Sequence, residues 1–231
     1  MTKTPLPPPD ITKNLRFDGP NDADTTLILA HGAGAGMDHE FMQQVAAGIA
    51  SHGIQVIRFE FPYMAKRRLD GRKYPPDRAP KAMLAFQQLI NHVQQHYSSR
   101  RLFIGGKSMG GRLASLLAAE YKPNRGVDGV ICLGFPFCAP GKPEVNRGEH
   151  LAEIRLPTLI IQGERDSFGG REAIESFPFS AQVSAQLLPD GDHSFKPRVK
   201  SGHTLDTNIE QAIASVAAFC LHSPADLSDM A

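Results

Sequence analysis

Residues 101–111 read RLFIGGKSMGG. A short apolar run, Leu102-Phe103-Ile104, enters a serine flanked by glycines, and an amphipathic stretch carrying Leu113, Leu116 and Leu117 follows. That order predicts a strand turning sharply into a helix with Ser108 on the turn. G-x-S-x-G is what such an elbow needs: the turn residue is forced into strained backbone geometry, and a larger side chain at either flanking glycine would collide with its surroundings. The strain lifts the Ser108 hydroxyl clear of the sheet as a candidate nucleophile. The backbone N–H of Met109 then aims at the space where an oxyanion forms during acyl transfer. A phosphate-binding loop is excluded, because G-x-x-x-x-G-K-S needs glycine where Arg101 stands and Leu102 to Ile104 fill the place of the cradle.

On either side of the elbow, short apolar runs alternate with longer amphipathic ones, the pattern of a mainly parallel sheet covered by helices on both faces, an α/β fold. TTLILA at 25–30 is the first clear strand. Asp38 is the expected N-cap of a helix carrying Phe41, Val45 and Ile49, which Gly53 ends. The strand Ile54–Phe61 places Val56, Arg58 and Glu60 on one face and Ile57, Phe59 and Phe61 on the other. Pro80 opens a helix with Met83, Leu84, Phe86, Leu89, Ile90 and Val93. VICLGFPF at 130–137 and LPTLIIQ at 156–162 are nearly continuous apolar runs, as fully buried parallel strands are. Ser184–Leu188 is a weaker last strand. Thr207–Glu210 fits a capping box, and Leu205, Ile209, Ile213, Val216 and Phe219 mark the buried face of a closing helix. The expected organisation is a partly irregular segment 1–24, one domain over 25–221 and a polar tail 222–231.

Composition agrees with one core. The chain has 231 residues, 41% of them hydrophobic, which suits a single domain. A formal charge of +1 gives no reason to expect nucleic acid or an anionic membrane as partner. Three cysteines without C-x-x-C spacing indicate neither a disulfide framework nor a zinc site, and no metal or organic cofactor is implied. The N-terminus lacks a signal-peptide apolar region, so a soluble, cytoplasmic protein is expected. Nothing in the sequence sets the oligomeric state.

A serine nucleophile requires a base and an acid that orients the base. Leu159-Ile160-Ile161-Gln162 runs into Gly163-Glu164-Arg165-Asp166, which puts a carboxylate beyond the C-terminal end of a buried strand, where catalytic groups of parallel sheets collect. Asp166 is the favoured acid, with Glu164 and Asp192 as neighbours able to substitute. Pro189-Asp190-Gly191-Asp192-His193 follows the last strand, making His193 the favoured base among the chain's nine histidines. His150, His203 and His222 are its rivals. The order Ser, Asp, His differs from the chymotrypsin and subtilisin orders. A second oxyanion donor is expected in the loop His31-Gly32-Ala33-Gly34-Ala35-Gly36, at Ala33 first and Gly34 second. Read as a dinucleotide-binding loop, the same stretch fails on spacing, since G-x-G-x-x-G needs glycine at Met37 or His39.

HGAGAG, GKSMGG, QGERD and GDHSF, in that order between the expected strands, closely resemble the α/β-hydrolase superfamily from about Thr25 to Leu221. The strand ending RFEFPY, the basic proline-rich stretch after it and the GKSMGG elbow resemble a small lidless group. That group includes testis-expressed hydrolase-like and dienelactone-hydrolase-like proteins. The resemblance implies an α/β-hydrolase fold without a substantial lid domain, Ser108, Asp166 and His193 as triad, and Met109 with Ala33 as oxyanion donors. The dienelactone hydrolases carry cysteine where this chain has Ser108.

Between Met64 and Pro80, six Lys/Arg stand against Asp70 and Asp77 in a loop expected at the catalytic edge. With His31, Gly34 and Lys107, the loop's Arg67, Arg68 and Arg72 are candidate substrate-binding residues. The stretch from Cys138 to Ile154, where larger relatives insert a lid, is too short for a helical cap, so small or surface-presented acyl groups are expected. The expected activity is carboxylesterase-like hydrolysis of a small acyl substrate. The alternative is a non-catalytic binding or scaffold protein that uses the basic loop 64–80 as its interface.

Overall fold

Leu27 and Leu29 face one way and Ile28 and Ala30 the other, so the first clear strand supplies two cores rather than one. A computed structural model describes residues 10–97, 99–120, 126–139, 141–142 and 146–222. Its strands are β1 (Arg16–Asp18), β2 (Thr25–Ala30), β3 (Gln55–Phe59), β4 (Arg101–Lys107), β5 (Gly129–Leu133), β6 (Thr158–Gly163) and β7 (Val183–Leu188). They form one seven-stranded sheet in the order β1-β3-β2-β4-β5-β6-β7. All pairings are parallel except β1 with β3.

The helices are α1 (Glu40–Ala50), α2 (Pro62–Asp70), α3 (Ala79–His96), α4 (Met109–Glu120), α5 (Arg171–Ser176) and α6 (Leu205–Leu221). Val45 and Ile49 of α1 and Ile209 and Val216 of α6 cover Leu27, Leu29, Ile131 and Ile161. On the other face Phe86, Leu89 and Ile90 of α3 and Leu113 and Leu117 of α4 cover Ile28, Ile57, Phe59 and Ile160. Each fully buried Phe or Ile here contributes about 2 kcal/mol relative to exposure. Because β2, β4, β5 and β6 are all parallel, their C-terminal ends share one edge, and every candidate site residue leaves the sheet there.

Several local expectations are corrected. Helix α1 is capped by His39, whose Nδ1 accepts from Phe41 N at 3.3 Å, and not by Asp38. Asp38 instead lies 3.4 Å from Arg16 and 3.7 Å from Arg58. Helix α6 starts earlier than Thr207: Thr204 is the N-cap and Thr207 its box partner. Leu84 is 61% exposed, so the buried face of α3 runs through Ala82, Ala85, Phe86, Leu89 and Val93. The first half of the basic stretch is not a loop but α2, opened by Pro62 and closed by the left-handed Gly71 at φ 71°. Strand β1, within the segment expected to be partly irregular, is held by Arg58, whose Nε donates to Asp18 at 2.8 Å.

From β5 to β6 the described residues form one short 3-10 turn, Glu149–Ala152, in place of a helical lid. Residues 140 and 143–145 of that connection, 1–9 of the N-terminal segment and 223–231 of the tail lie outside the described residues. Among the described residues no helix is long and apolar enough to cross a membrane.

Candidate active site

Ser108 sits between the end of β4 and Met109, the first residue of α4, with φ of 50°. A non-glycine residue in that region is strained, and the surroundings hold it there. Ser108 N donates to Leu133 O at 2.9 Å. The flanking glycines are sterically required. A Cβ on Gly106 would lie 2.4 Å from Ala30 O, and one on Gly110 2.6 Å from the same atom. The elbow is therefore built directly against the end of β2.

The Ser108 hydroxyl meets His193 Nε2 at 2.9 Å, and His193 Nδ1 meets Asp166 Oδ2 at 2.8 Å. Asp166 is buried, and its other oxygen accepts from Phe168 N at 2.8 Å. With Nδ1–H donating to the carboxylate, Nε2 is left to accept the serine proton. The Phe168 ring packs against the imidazole at a tilt of 33°, centroids 4.2 Å apart.

The sequence pattern assigns Gln162 no role of its own. Fully buried in β6, its Nε2 donates to Asp166 Oδ2 at 2.8 Å, to Gly169 O at 2.7 Å and to Phe135 O at 3.1 Å, while its Oε1 accepts from Phe135 N at 2.7 Å. Two amide hydrogens thus serve three acceptors, and one of those acceptors is the carboxylate oxygen that also takes the imidazole N–H. A glutamine within an otherwise apolar strand is the signal that could have exposed it, since a buried amide must find partners.

The rivals are engaged elsewhere. Glu164 accepts from Asp190 N at 2.8 Å and pairs with Arg171. Asp192 ties its own loop, accepting from Ser194 N at 2.7 Å and Lys196 N at 3.0 Å. His150 Nε2 faces Ser115 Oγ at 2.8 Å. His203 is exposed ahead of α6, and His222 caps the end of that helix. The His193 loop is braced by Arg198, whose hydrogen bonds hold the Asp190 carboxyl down to about 2. Asn208 Nδ2 braces it from α6, donating to Pro189 O at 3.0 Å and Phe195 O at 2.8 Å.

The loop after β2 passes beside the serine: a Cβ on Gly32 would lie 3.7 Å from Ser108 Cβ. The Tyr63 hydroxyl donates to Ala33 O at 2.9 Å and Gly32 O at 3.2 Å, holding the loop from behind. Ala33 N has no acceptor among the described residues. Met109 N, at the first position of a helix, has none one turn back. His31 does not face the cavity. It is fully buried, its Nδ1 donates to Gly32 O at 2.7 Å, and its Nε2 accepts from Phe61 N at 3.1 Å.

Burial pulls His31 down to about 4. The unfolded chain, with an ordinary histidine near 6.5, therefore binds more protons between those values, and folding stability falls as pH drops through that window. The slope contributed by this residue approaches about 1.4 kcal/mol per pH unit. Urea unfolding between pH 7 and pH 4.5 should show a smaller loss in His31→Gln than in the wild type; equal losses would contradict the assignment.

A cavity of about 340 Å3 holds Ser108, His193, Ala33, Gly34, Phe41 and Phe168 on its walls. A second, of about 480 Å3, shares Gly34, Ala35 and His39 with it and reaches Arg67 and Arg68. A larger one of about 590 Å3, beside the end of α3, has no serine–histidine pair on its walls. Arg68 is committed to the buried Glu60, Nε to Oε2 3.0 Å, while the Arg67 side chain forms no hydrogen bond or ion pair among the described residues. The exposed Arg72 lies beyond Gly71, past the end of α2, and does not line either of these two cavities. Among the described residues no cluster of three or more His, Cys, Asp or Glu is placed to hold a metal.

A parallel sheet with a nucleophile elbow on its central strand is the architecture of the α/β hydrolases. A family model described as an alpha/beta hydrolase domain matches residues 23–221, and the chain belongs to that family. Solved structures agree on the fold. The esterase Est1E from Butyrivibrio proteoclasticus, bound to ferulic acid, superposes with a TM-score of 0.68 at 15% identity, over 90% of this chain and 95% of that one. A serine hydrolase without lid from Xanthomonas campestris gives 0.66 at 19% identity, over 91% and 90%. A dienelactone hydrolase from Anabaena variabilis gives 0.65 at 19% identity, over 87% and 88%.

Proposed function

We propose that this protein is a serine hydrolase, carboxylesterase-like, that cleaves an ester or related acyl bond of a small or exposed substrate. The observation that carries the reading is the continuous hydrogen-bonded chain from Ser108 through His193 to Asp166, at a serine held in strained backbone geometry. In this mechanism His193 takes the Ser108 proton as the oxygen attacks the acyl carbon. Asp166 stabilises the imidazolium, which then protonates the leaving group. Water activated by His193 releases the acyl-enzyme. Ala33 and Met109 donate to the oxyanion, each contributing about 3 kcal/mol to the transition state.

The substrate end of the reading rests on the paired cavities. With Asp38 beside Arg16 and Arg58, and Glu60 beside Arg68, Arg67 is, among the described residues lining the second cavity, the arginine without a carboxylate partner. An ester with an anionic group on its acyl or alcohol portion suits that groove, and neither a nucleic acid nor a membrane is needed as partner. The unpaired thiols of Cys132, Cys138 and Cys220 fit a reducing, cytoplasmic setting.

The alternative, a scaffold protein docking through the basic segment, leaves the ordered proton path without a use. A fluorophosphonate probe separates the two: the wild type should label rapidly and Ser108→Ala not at all. Equal labelling of both would remove the hydrolase reading.

A further inference from the structure

Lys107 precedes the candidate nucleophile in the chain, yet its ammonium reaches the base. Nζ donates to the backbone carbonyl of His193 at 2.5 Å. It lies over a contacting pair of rings, 5.7 Å from the centroid of Phe41 and 5.6 Å from that of Phe195, which are themselves 5.6 Å apart. Gly134, at the end of β5, leaves the room: a Cβ there would come within 2.7 Å of Nζ and 3.5 Å of His193 Nδ1. Ammonium and imidazole therefore share one corner. Burial drags the amine down to about 8, against the pull of Asp166 and Asp192, neither of which forms a salt bridge with it among the described residues. An apolar side chain would fill this space against the two phenyl rings without that desolvation cost. What the lysine adds is one hydrogen bond to His193 and one charge beside Asp166 and Asp192.

We propose that Lys107 is a positioning residue: it straps the nucleophile elbow to the loop of the base, fixing the imidazole against Ser108 Oγ, and its charge opposes premature protonation of that imidazole. The proposal rests on Ser108 acting as nucleophile. The groups facing the ammonium are Asp166 from the end of β6, Asp192 from the loop after β7 and His193 itself. Asp166 and Asp192 are the negative charges at this corner, and Lys107 is the positive one. Displacement of a reacting group by about 1 Å is enough for a 100-fold loss, so the strap has a measurable kinetic consequence.

The test compares wild type, Lys107→Met and Lys107→Arg in the rate of labelling by a fluorophosphonate across pH 5 to 9, with thermal unfolding of each. Lys107→Met should label about 10- to 100-fold more slowly at neutral pH, with its thermal midpoint within a few degrees of wild type. Its acid limb should move to higher pH, because removal of the cation makes the protonated imidazole less costly. Lys107→Arg keeps the charge and should keep the wild-type acid limb. A Lys107→Met protein with wild-type rate and limb overturns the proposal. So does one that loses rate only in step with its stability while the limb stays fixed. A wild type that does not label at all overturns the hydrolase reading and this one with it.

Discussion

Asp166→Asn should lower kcat for a short-chain nitrophenyl ester by about 10³- to 10⁴-fold while leaving KM nearly unchanged, as loss of the orienting carboxylate does in serine triads. The reason lies in the donors around the carboxylate. Phe168 N points at one oxygen, and both Gln162 Nε2 and His193 Nδ1 point at the other. All three are satisfied only by a group that accepts on both sides. Asparagine must turn its NH2 toward one side. Facing Phe168, it sets donor against donor. Facing His193, it forces the imidazole to place its proton on Nε2, where it can no longer accept from Ser108. Steady-state kinetics with circular dichroism checks the claim. A variant retaining more than a tenth of wild-type kcat would exclude Asp166 as the orienting acid.

Gly106→Ala should produce the largest loss of stability of any single-methyl change at the elbow, about 3 kcal/mol or more, together with loss of probe labelling. The added Cβ would lie 2.4 Å from Ala30 O, 2.8 Å from Gly110 C and 2.9 Å from Ala30 Cβ. Two of these are backbone atoms and the third is a β carbon, so no side-chain rotation relieves the contact. Strand β2 and helix α4 would have to separate, and β2 lies between β3 and β4 in the sheet. Chemical denaturation measures the cost. The control is Gly34→Ala, where an added Cβ meets nothing within 4 Å and stability should be unchanged.

The parts of the fold legible in the sequence are those whose residues carry a periodic or steric signal of their own. TTLILA reads as a buried strand because every position is apolar or β-branched, and its boundaries coincide with β2. The elbow reads because glycine is the only residue its surroundings admit. Strand β1 does not read, because three residues, RFD, with Phe17 42% exposed carry no burial pattern; a long-range pairing with Arg58 makes them a strand. Helix α2 was hidden by its composition. Its final turn is charged, and its apolar first turn, Pro62 to Ala65, was assigned to the end of a strand and the start of a loop. Within the site, Ser108, His193 and Asp166 stand at strand ends the fold makes special. Gln162 and Tyr63 act by holding other residues, a role that leaves no motif. His31 shows the converse: a histidine beside glycines in a loop suggests ligand contact, but its two nitrogens are spent on Gly32 and Phe61.

Strand β1 runs antiparallel to its one neighbour, β3, and this decides where the first described residues lie. Arg16 pairs with Arg58 near the C-terminal end of β3, so the segment from Asp10 to Leu15 crosses the same edge as Ser108 and reaches Glu60 and Arg68. At the other end Leu221 O accepts from Arg101 Nη2, at the opposite margin of the sheet, where β4 begins. The chain therefore leaves the described fold at Leu221 on the side of the sheet away from Ser108. Asp10 instead lies on the same side as Ser108, beside Glu60 and Arg68. For immobilising the protein on a sensor surface or an affinity matrix, these two ends of the described chain are not equivalent points of attachment.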